Sequence, residues 1–451
     1  MILLYFVSSS PKWRNAVLLA ASLLFYAWGE PRFIVMMVLS ILVNYFAAIM
    51  IDRSKNISGR ITWLVIGVCA SLAFLFWFKY YAFIVNSFCG LFSIPYEAAP
   101  KTLPIGISFY TFQILTYTIE VYRGSVPPQK NLARLALYIS FFPQLIAGPI
   151  VNYGDIEGQL KERKTSYKKV YEGLSRFMIG LGKKVLIANV CGEILSRLKL
   201  TGEISVLAAW LGAIAFAFQI YFDFSGYSDM AIGLGRVFGF TFLENFNYPY
   251  ISTSVSEFWR RWHISLGSFF REYVYIPLGG NRVSAARNIF NLMVVWALTG
   301  AWHGASWNFI VWGVYYGVLL IIEKHLLKGG LARLPKAPGM ILTDLLVLFG
   351  WVIFYHDSLA DGIAHLAAMF GFGAASASDP VSVFCLKNYL WVLVLALIAS
   401  IPWKDILHLD ESKKTALSAV VIRSVLLSGV FVLSLVFLSG SSFNPFLYFR
   451  F

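Results

Sequence analysis

The sequence predicts an all-α, polytopic membrane protein, read as one membrane-embedded domain over residues 1–451. Three observations carry this: the composition, a series of uncharged blocks of membrane-crossing length, and the confinement of basic residues to short connections. Hydrophobic residues make up 58% of the chain and charged residues 13%, whereas a soluble protein carries about a quarter charged side chains and roughly half apolar ones. In lipid every backbone polar group must be satisfied internally, so segments that cross must be helices or a closed barrel. Continuous apolar runs without strand-like alternation select helices.

In chain order, the long uncharged blocks run from Phe33 to Ile51, Ile61 to Phe78, Leu103 to Ile119, Ile204 to Phe222 and Ser424 to Phe443. Each is about long enough to span a hydrocarbon core of ~30 Å. Shorter or interrupted blocks lie at Ala16 to Trp28, Tyr80 to Ile94, Leu135 to Val151, Ile289 to Trp302, Phe309 to Ile322, Leu345 to Tyr355 and Tyr389 to Ile401. Together they predict roughly ten to thirteen transmembrane and re-entrant helices. The stretch 221–286 is the least hydrophobic, dense in Gly, Asn, Asp and Arg yet rich in aromatics. It is expected to form re-entrant or interfacial helices lining a funnel, because irregular backbone at membrane depth is tolerated only against protein or water. A second basic linker, from Glu323 to Pro338, precedes the final helices.

A net charge of +14 does not make this a nucleic-acid-binding chain. The basic residues sit in short loops, among them KERKTSYKK (161–169) and Arg260, Arg261, Arg271, Arg282 and Arg287. That is the pattern of the positive-inside rule, which turns these loops toward the cytoplasm and toward lipid phosphates. Such loops could also draw in an anionic donor. The N-terminus is apolar from Met1 without a charged region and cleavage site, so no cleaved signal peptide is expected. Four cysteines, Cys69, Cys89, Cys191 and Cys385, are scattered without paired spacing, which indicates neither a disulfide frame nor a metal site. GLGRVFG (233–239) lacks a preceding strand and the spacing of a dinucleotide loop.

Six histidines occur, and two lie in unusual surroundings. His303, in LTGAWHGASWNF (298–309), follows an uncharged run, and an ionisable group at that depth is costly enough to indicate function by default. The neutral imidazole is the form that can take a proton from a hydroxyl or thiol. Gly300, Ala301, Gly304 and Ala305 would let backbones and a thin substrate come close, with Trp302 and Trp307 walling the pocket. The alternative is a histidine that only packs helices. His263, in SEFWRRWHISLGSFFREY (256–273), would share a helical face with Trp259 at i and i+4. Its alternative is a ring snorkelling beside Arg260 and Arg261 to lipid phosphate. Asp223 and Asp229 could anchor Arg260 or Arg261, or orient a histidine.

At these residues the chain resembles the membrane-bound O-acyltransferases, in particular the bacterial branch of alginate and peptidoglycan O-acetyltransferases. The resemblance runs through LPIGISFYTFQ (103–113), FFPQLIAGPI (141–150), FDFSGYSDMAIG (222–233), NFNYPY (245–250), FWRRWHISL (258–266), the GAWHGASWNF block and NPFLYFRF (444–451). It implies a ring of helices around a central tunnel, catalytic histidines at His303 and His263, and tunnel-lining or substrate-binding roles for Trp302, Trp307, Asn308, Trp259, Arg260, Arg261, Asp223 and Tyr227. It further implies acetyl-CoA as donor with no bound cofactor or metal, and residence in the bacterial cytoplasmic (inner) membrane among its lipids. Acetyl would pass outward to an extracytoplasmic SGNH-type transferase and finally to a cell-envelope polysaccharide: peptidoglycan, alginate or another glycan. The tail is similar to an aromatic motif whose tyrosine is proposed as an acyl relay in teichoic-acid D-alanylation, which nominates Tyr448, or else an interfacial aromatic anchor. In this reading His303 is the general base, while His263 or a backbone donor polarises the thioester carbonyl. WVIFYHDS (351–358) departs from the alginate-type pattern, with Tyr355 where arginine is expected. The rival readings are a polysaccharide or lipid-carrier flippase, which should show paired half-repeats, and a noncatalytic scaffold in which neither histidine matters.

Overall fold

The computed structural model describes residues 1–146, 148–200, 204–328, 334–406, 417–440 and 446–447. Among them are helices and irregular connections but no β-strand. Seven helical segments are long and apolar enough to cross a membrane: 34–53, 57–91, 206–237, 307–326, 336–355, 380–399 and 418–440. Their lipid-compatible character is plain in the large apolar side chains they leave exposed, such as Val35, Ile66, Trp391 and Leu426. The chain is thus a multi-pass membrane protein.

Two compact units can be distinguished, one of residues 1–174 with 231–243 and one of residues 175–230 with 244–451. In the first, α1 (Ile2–Phe6), α2 (Pro11–Gly29), α3 (Ile34–Arg53) and α4 (Ile57–Leu75) lead through a π-helical turn into α5 (Tyr81–Leu91). They are followed by α6 (Ile107–Arg123), α7 (Leu132–Ser140), α8 (Phe142–Leu145) and α9 (Tyr153–Lys161). Helices without a hydrophobic driving force between them associate through close packing and polar contacts. Here Asn44 of α3 donates to Ser71 Oγ of α4 at 2.8 Å and accepts from Thr118 Oγ1 of α6 at 2.8 Å. Within KERKTSYKK, Arg163 is buried: its guanidinium donates to Tyr5 Oη, the Phe238 carbonyl and Asn15 Oδ1, and lies 4.4 Å from the Phe240 ring centroid.

The second unit holds most of the remaining elements that concern function; two helices, Tyr167–Gly182 and Val206–Val237, have residues in both units. From α10 (Tyr167–Gly182) the chain runs through a π-helical turn to α11 (Asn189–Lys199), then into α12 (Val206–Val237). Short helices α13 (Val255–Arg261) and α14 (Ile264–Phe270) precede α15 (Ala285–His303) and α16 (Trp307–Ile321). Helices α17 (Lys336–Tyr355), α18 (Leu359–Met369), α19 (Pro380–Ala399), α20 (Trp403–Ile406) and α21 (Leu417–Gly440) complete it. The expected interruption at 221–286 begins later than the sequence indicates. Tyr221 to Val237 continue the long helix α12, because Asp223 and Asp229 are neutralised by cations of the preceding segment. Irregular backbone and short helices follow from Phe238.

Candidate active site

Helix α13 is started by local chemistry. Ser254 Oγ accepts from the Glu257 amide at 3.2 Å and Glu257 reaches back to the Thr253 amide at 2.9 Å, a reciprocal arrangement that satisfies first-turn donors. Glu323 adds an acceptor for the Ser256 amide. The helix stops at Arg261, whose carbonyl accepts from the Asn247 amide at 2.9 Å. His263 then takes a left-handed conformation, φ 44° and ψ 53°, between α13 and α14. For a bulky residue this is a strained backbone, of order 1–3 kcal/mol, and such strain gathers at functional sites. The break corrects the expectation of a common helical face for Trp259 and His263: a left-handed residue cannot carry the i, i+4 register. Trp259 instead packs against Trp296, Trp312 and Tyr316.

The His263 ring is 2% exposed. It stands edge-on to Phe224 of α12 at 4.6 Å and to Trp302 of α15 at 5.6 Å, ring centre to ring centre. Its Nδ1 lies 3.3 Å from Asn245 Oδ1, while Nε2 is buried with no hydrogen-bond partner among the described residues. His303 is the last residue of α15 and is 4% exposed. Its ring meets Trp302 at 4.9 Å, Trp312 at 5.0 Å and Phe354 at 5.2 Å. The structure therefore brings both predicted histidines to a single indole, that of Trp302. Aromatic pairs of this geometry are each worth ~0.5–1.5 kcal/mol beyond their burial and hold the rings in fixed orientations.

The small residues around His303 serve the protein's own packing. A Cβ on Gly300 would fall 2.3 Å from the Phe309 carbonyl oxygen, and one on Gly313 would fall 2.3 Å from that of Trp296. Helices α15 and α16 thus touch backbone to backbone. Side chains at these two positions would force apart the hairpin whose first arm ends in His303. Asn308 sits just past the turn, 2% exposed, donating to the His356 carbonyl at 2.7 Å and accepting from Ser306 Oγ. It ties the turn to the end of α17.

Other predicted residues lie elsewhere. Trp307 is 59% exposed at the first position of α16, whereas Trp302 is buried. Arg260 is exposed, and Arg261 pairs with Glu257 at 2.9 Å. Neither meets the aspartates suggested as partners. Asp223 pairs with Lys184, and Asp229 with Lys183 at 2.7 Å and Arg176 at 2.8 Å. The cations of 176–184, on the helical segment packed beside α12, take these carboxylates. Asp223 has a second contact: its Oδ2 accepts from the Leu447 amide at 2.7 Å. The Phe446 ring lies against Tyr227 at 5.1 Å and Phe224 at 5.8 Å. Tyr448 lies outside the described residues.

Sequence reasoning passed over Asn245, Lys184, Trp312 and Phe354. Asn245 carried a signal, a polar side chain in the aromatic NFNYPY motif, and Lys184 another, a cation at the edge of an apolar run. Among the described residues no three His, Cys, Asp or Glu side chains gather where they could hold a metal.

Comparison with known proteins adds the chemistry. Residues 125–329 match the model of the membrane-bound O-acyltransferase family. A probable alginate O-acetylase of Azotobacter vinelandii is 38% identical over 99% of this chain and 96% of its own. A peptidoglycan O-acetyltransferase of Helicobacter pylori is 32% identical over 98% and 93%. A teichoic acid D-alanyltransferase of Bacillus subtilis is 29% identical over 55% and 68%.

Proposed function

Because the chain belongs to the membrane-bound O-acyltransferase family, and is on that ground an O-acyltransferase, we propose that it takes acetyl from acetyl-CoA at the cytoplasmic face of a bacterial inner membrane and passes it outward. The final acceptor is an extracytoplasmic polysaccharide, reached through a partner transferase of the SGNH type. Similarity along nearly the whole chain to relatives named for alginate and peptidoglycan acetylation supports this substrate class. Membership of an acyltransferase family sets aside the flippase and scaffold readings.

The observation that carries the site assignment is the pair of buried imidazoles, His303 and His263, sharing the Trp302 indole. His303 takes the proton of the attacking hydroxyl as its oxygen bonds to the thioester carbon. The tetrahedral adduct then expels the thiolate, the C–S bond breaks, and the same proton passes from His303 to sulfur. General base catalysis of this kind contributes ~10²–10⁴ in rate. Docking of the neighbouring residues Phe446 and Leu447 onto α12, one ring removed from His263, supports Tyr448 as the hydroxyl that first receives the acetyl.

One experiment tests both assignments. Purified protein in proteoliposomes is incubated with labelled acetyl-CoA, and both transfer and the mass of the C-terminal peptide are followed. His303→Ala should remain monodisperse while transfer falls at least ~10²-fold, and Tyr448→Phe should abolish acetylation of the tail peptide. Wild-type transfer by His303→Ala would refute the base assignment. An acetylated tail peptide in Tyr448→Phe, or its absence in the wild type, would refute the relay.

A further inference from the structure

We infer that Asn245 is a positioning residue that holds His263 as the Nδ1–H tautomer, so that the ring faces the reacting groups with the Nε2 lone pair and accepts a hydrogen bond from a substrate hydroxyl or thiol. The functional half of this statement rests on the acyl-transfer reading above; the tautomer does not.

The argument starts from a donor whose role is beyond choice. The backbone N–H of Ser265 can only donate, and it lies 3.1 Å from Asn245 Oδ1. That atom is therefore the carbonyl oxygen of the amide, because an amide NH₂ turned toward the same N–H would set donor against donor. The Ser265 hydroxyl donates to the same oxygen at 2.9 Å, and the Ile264 amide donates to the Asn245 main-chain carbonyl at 3.0 Å. Asn245 is 0% exposed and thus held from both its backbone and its side chain.

An amide oxygen only accepts. His263 Nδ1, 3.3 Å from it, must then carry the hydrogen. A neutral imidazole has one N–H, which leaves Nε2 as a lone pair. That nitrogen is buried and meets no partner among the described residues, and a buried polar atom left open in this way calls for an explanation such as a catalytic role. The left-handed backbone at His263, pinned by the Asn247–Arg261 and Gly267–His263 main-chain hydrogen bonds, brings the ring around to Asn245. In this tautomer the neutral ring has no Nε2–H to offer. The carbonyl-polarising role expected for His263 therefore passes to a backbone donor, and His263 itself receives hydrogen.

The test reads the tautomer without turnover. Protein labelled with ¹⁵N only at histidine is reconstituted in nanodiscs, and the His263 signals are assigned by their loss in His263→Gln. Two-bond ¹H–¹⁵N correlations should give a pyrrole-type Nδ1 and a pyridine-type Nε2 in the wild type. Asn245→Ala should convert this to a mixture or to the other tautomer, and Asn245→Asp, which keeps an acceptor, should retain Nδ1–H. In acetyl transfer, Asn245→Ala should lower kcat about 10²-fold while KM for acetyl-CoA stays near its wild-type value. An Nε2–H signal in the wild type overturns the inference, as does an Asn245→Ala protein that keeps Nδ1–H. Should Asn245→Ala fail to fold, the wild-type spectrum decides alone. Loss of the acyl-transfer reading would show instead as His303→Ala retaining activity, with the tautomer untouched.

Discussion

Adding one methyl group at Gly300 should damage both stability and turnover, and its size can be worked from the contact. The new Cβ would meet the Phe309 carbonyl oxygen at 2.3 Å, its carbon at 3.1 Å and Gly313 Cα at 3.2 Å, where ordinary contact begins near 3.4 Å. All three neighbours are backbone, so no side chain can swing away, and α16 must retreat from α15 by about 1 Å. Overpacking of this kind costs ~1–3 kcal/mol. The end of α15 is His303, three residues on. A displacement of ~1 Å at a reacting group can cost on the order of 10² in rate. Gly300→Ala is therefore expected to lower the thermal midpoint in detergent and to reduce kcat/KM for acetyl transfer by one to two orders of magnitude. Gly90→Ala is the control: its Cβ would enter open space, and activity should not change. A Gly300→Ala enzyme with wild-type midpoint and kcat/KM would refute the claim that backbone contact between α15 and α16 positions His303.

Two further outcomes follow from the charged groups. Lys184→Met should destabilise the protein by ~3–5 kcal/mol, since it strips the cation from an Asp223 side chain that is only 2% exposed; Asp223→Asn in the same chain should recover most of the loss in a denaturation series, and additive losses would disprove the pairing. At Glu257 burial pushes the carboxyl pKa up, but the Thr253 and Arg261 donors outweigh it and hold the carboxyl below its usual 4.5. A depressed folded-state pKa means stability present above the unfolded value and lost as pH falls through the folded one. Protection of α13 amides from hydrogen exchange should accordingly weaken as pH drops below about 4, and Glu257→Gln should lack that acid dependence; an identical pH response in the variant would contradict the assignment.

What the sequence determined by itself was the class of molecule and the chemistry-bearing residue types. Uncharged blocks too long for anything but a membrane dictate helices, because the cost of an unsatisfied peptide group in lipid is local and needs no knowledge of neighbours. The same reasoning singled out His303, since an ionisable ring after an apolar run is conspicuous in one dimension. The tertiary structure decided which groups meet. Asp223 and Asp229 chose cations at Lys184, Lys183 and Arg176 over Arg260 and Arg261. Gly300 lets the backbone of α16 come close, opposite Gly313, and Trp307, inseparable from Trp302 by pattern, stands 59% exposed. Asn245 meets His263 at a sequence separation of 18, across a stretch that includes α13. Helical period cannot anticipate such a contact, because it is set by a helix ending at Arg261 and a left-handed residue after it. Propensity and hydropathy act over one or two turns, whereas a proton's place on an imidazole depends on the single atom that folding brings to face it.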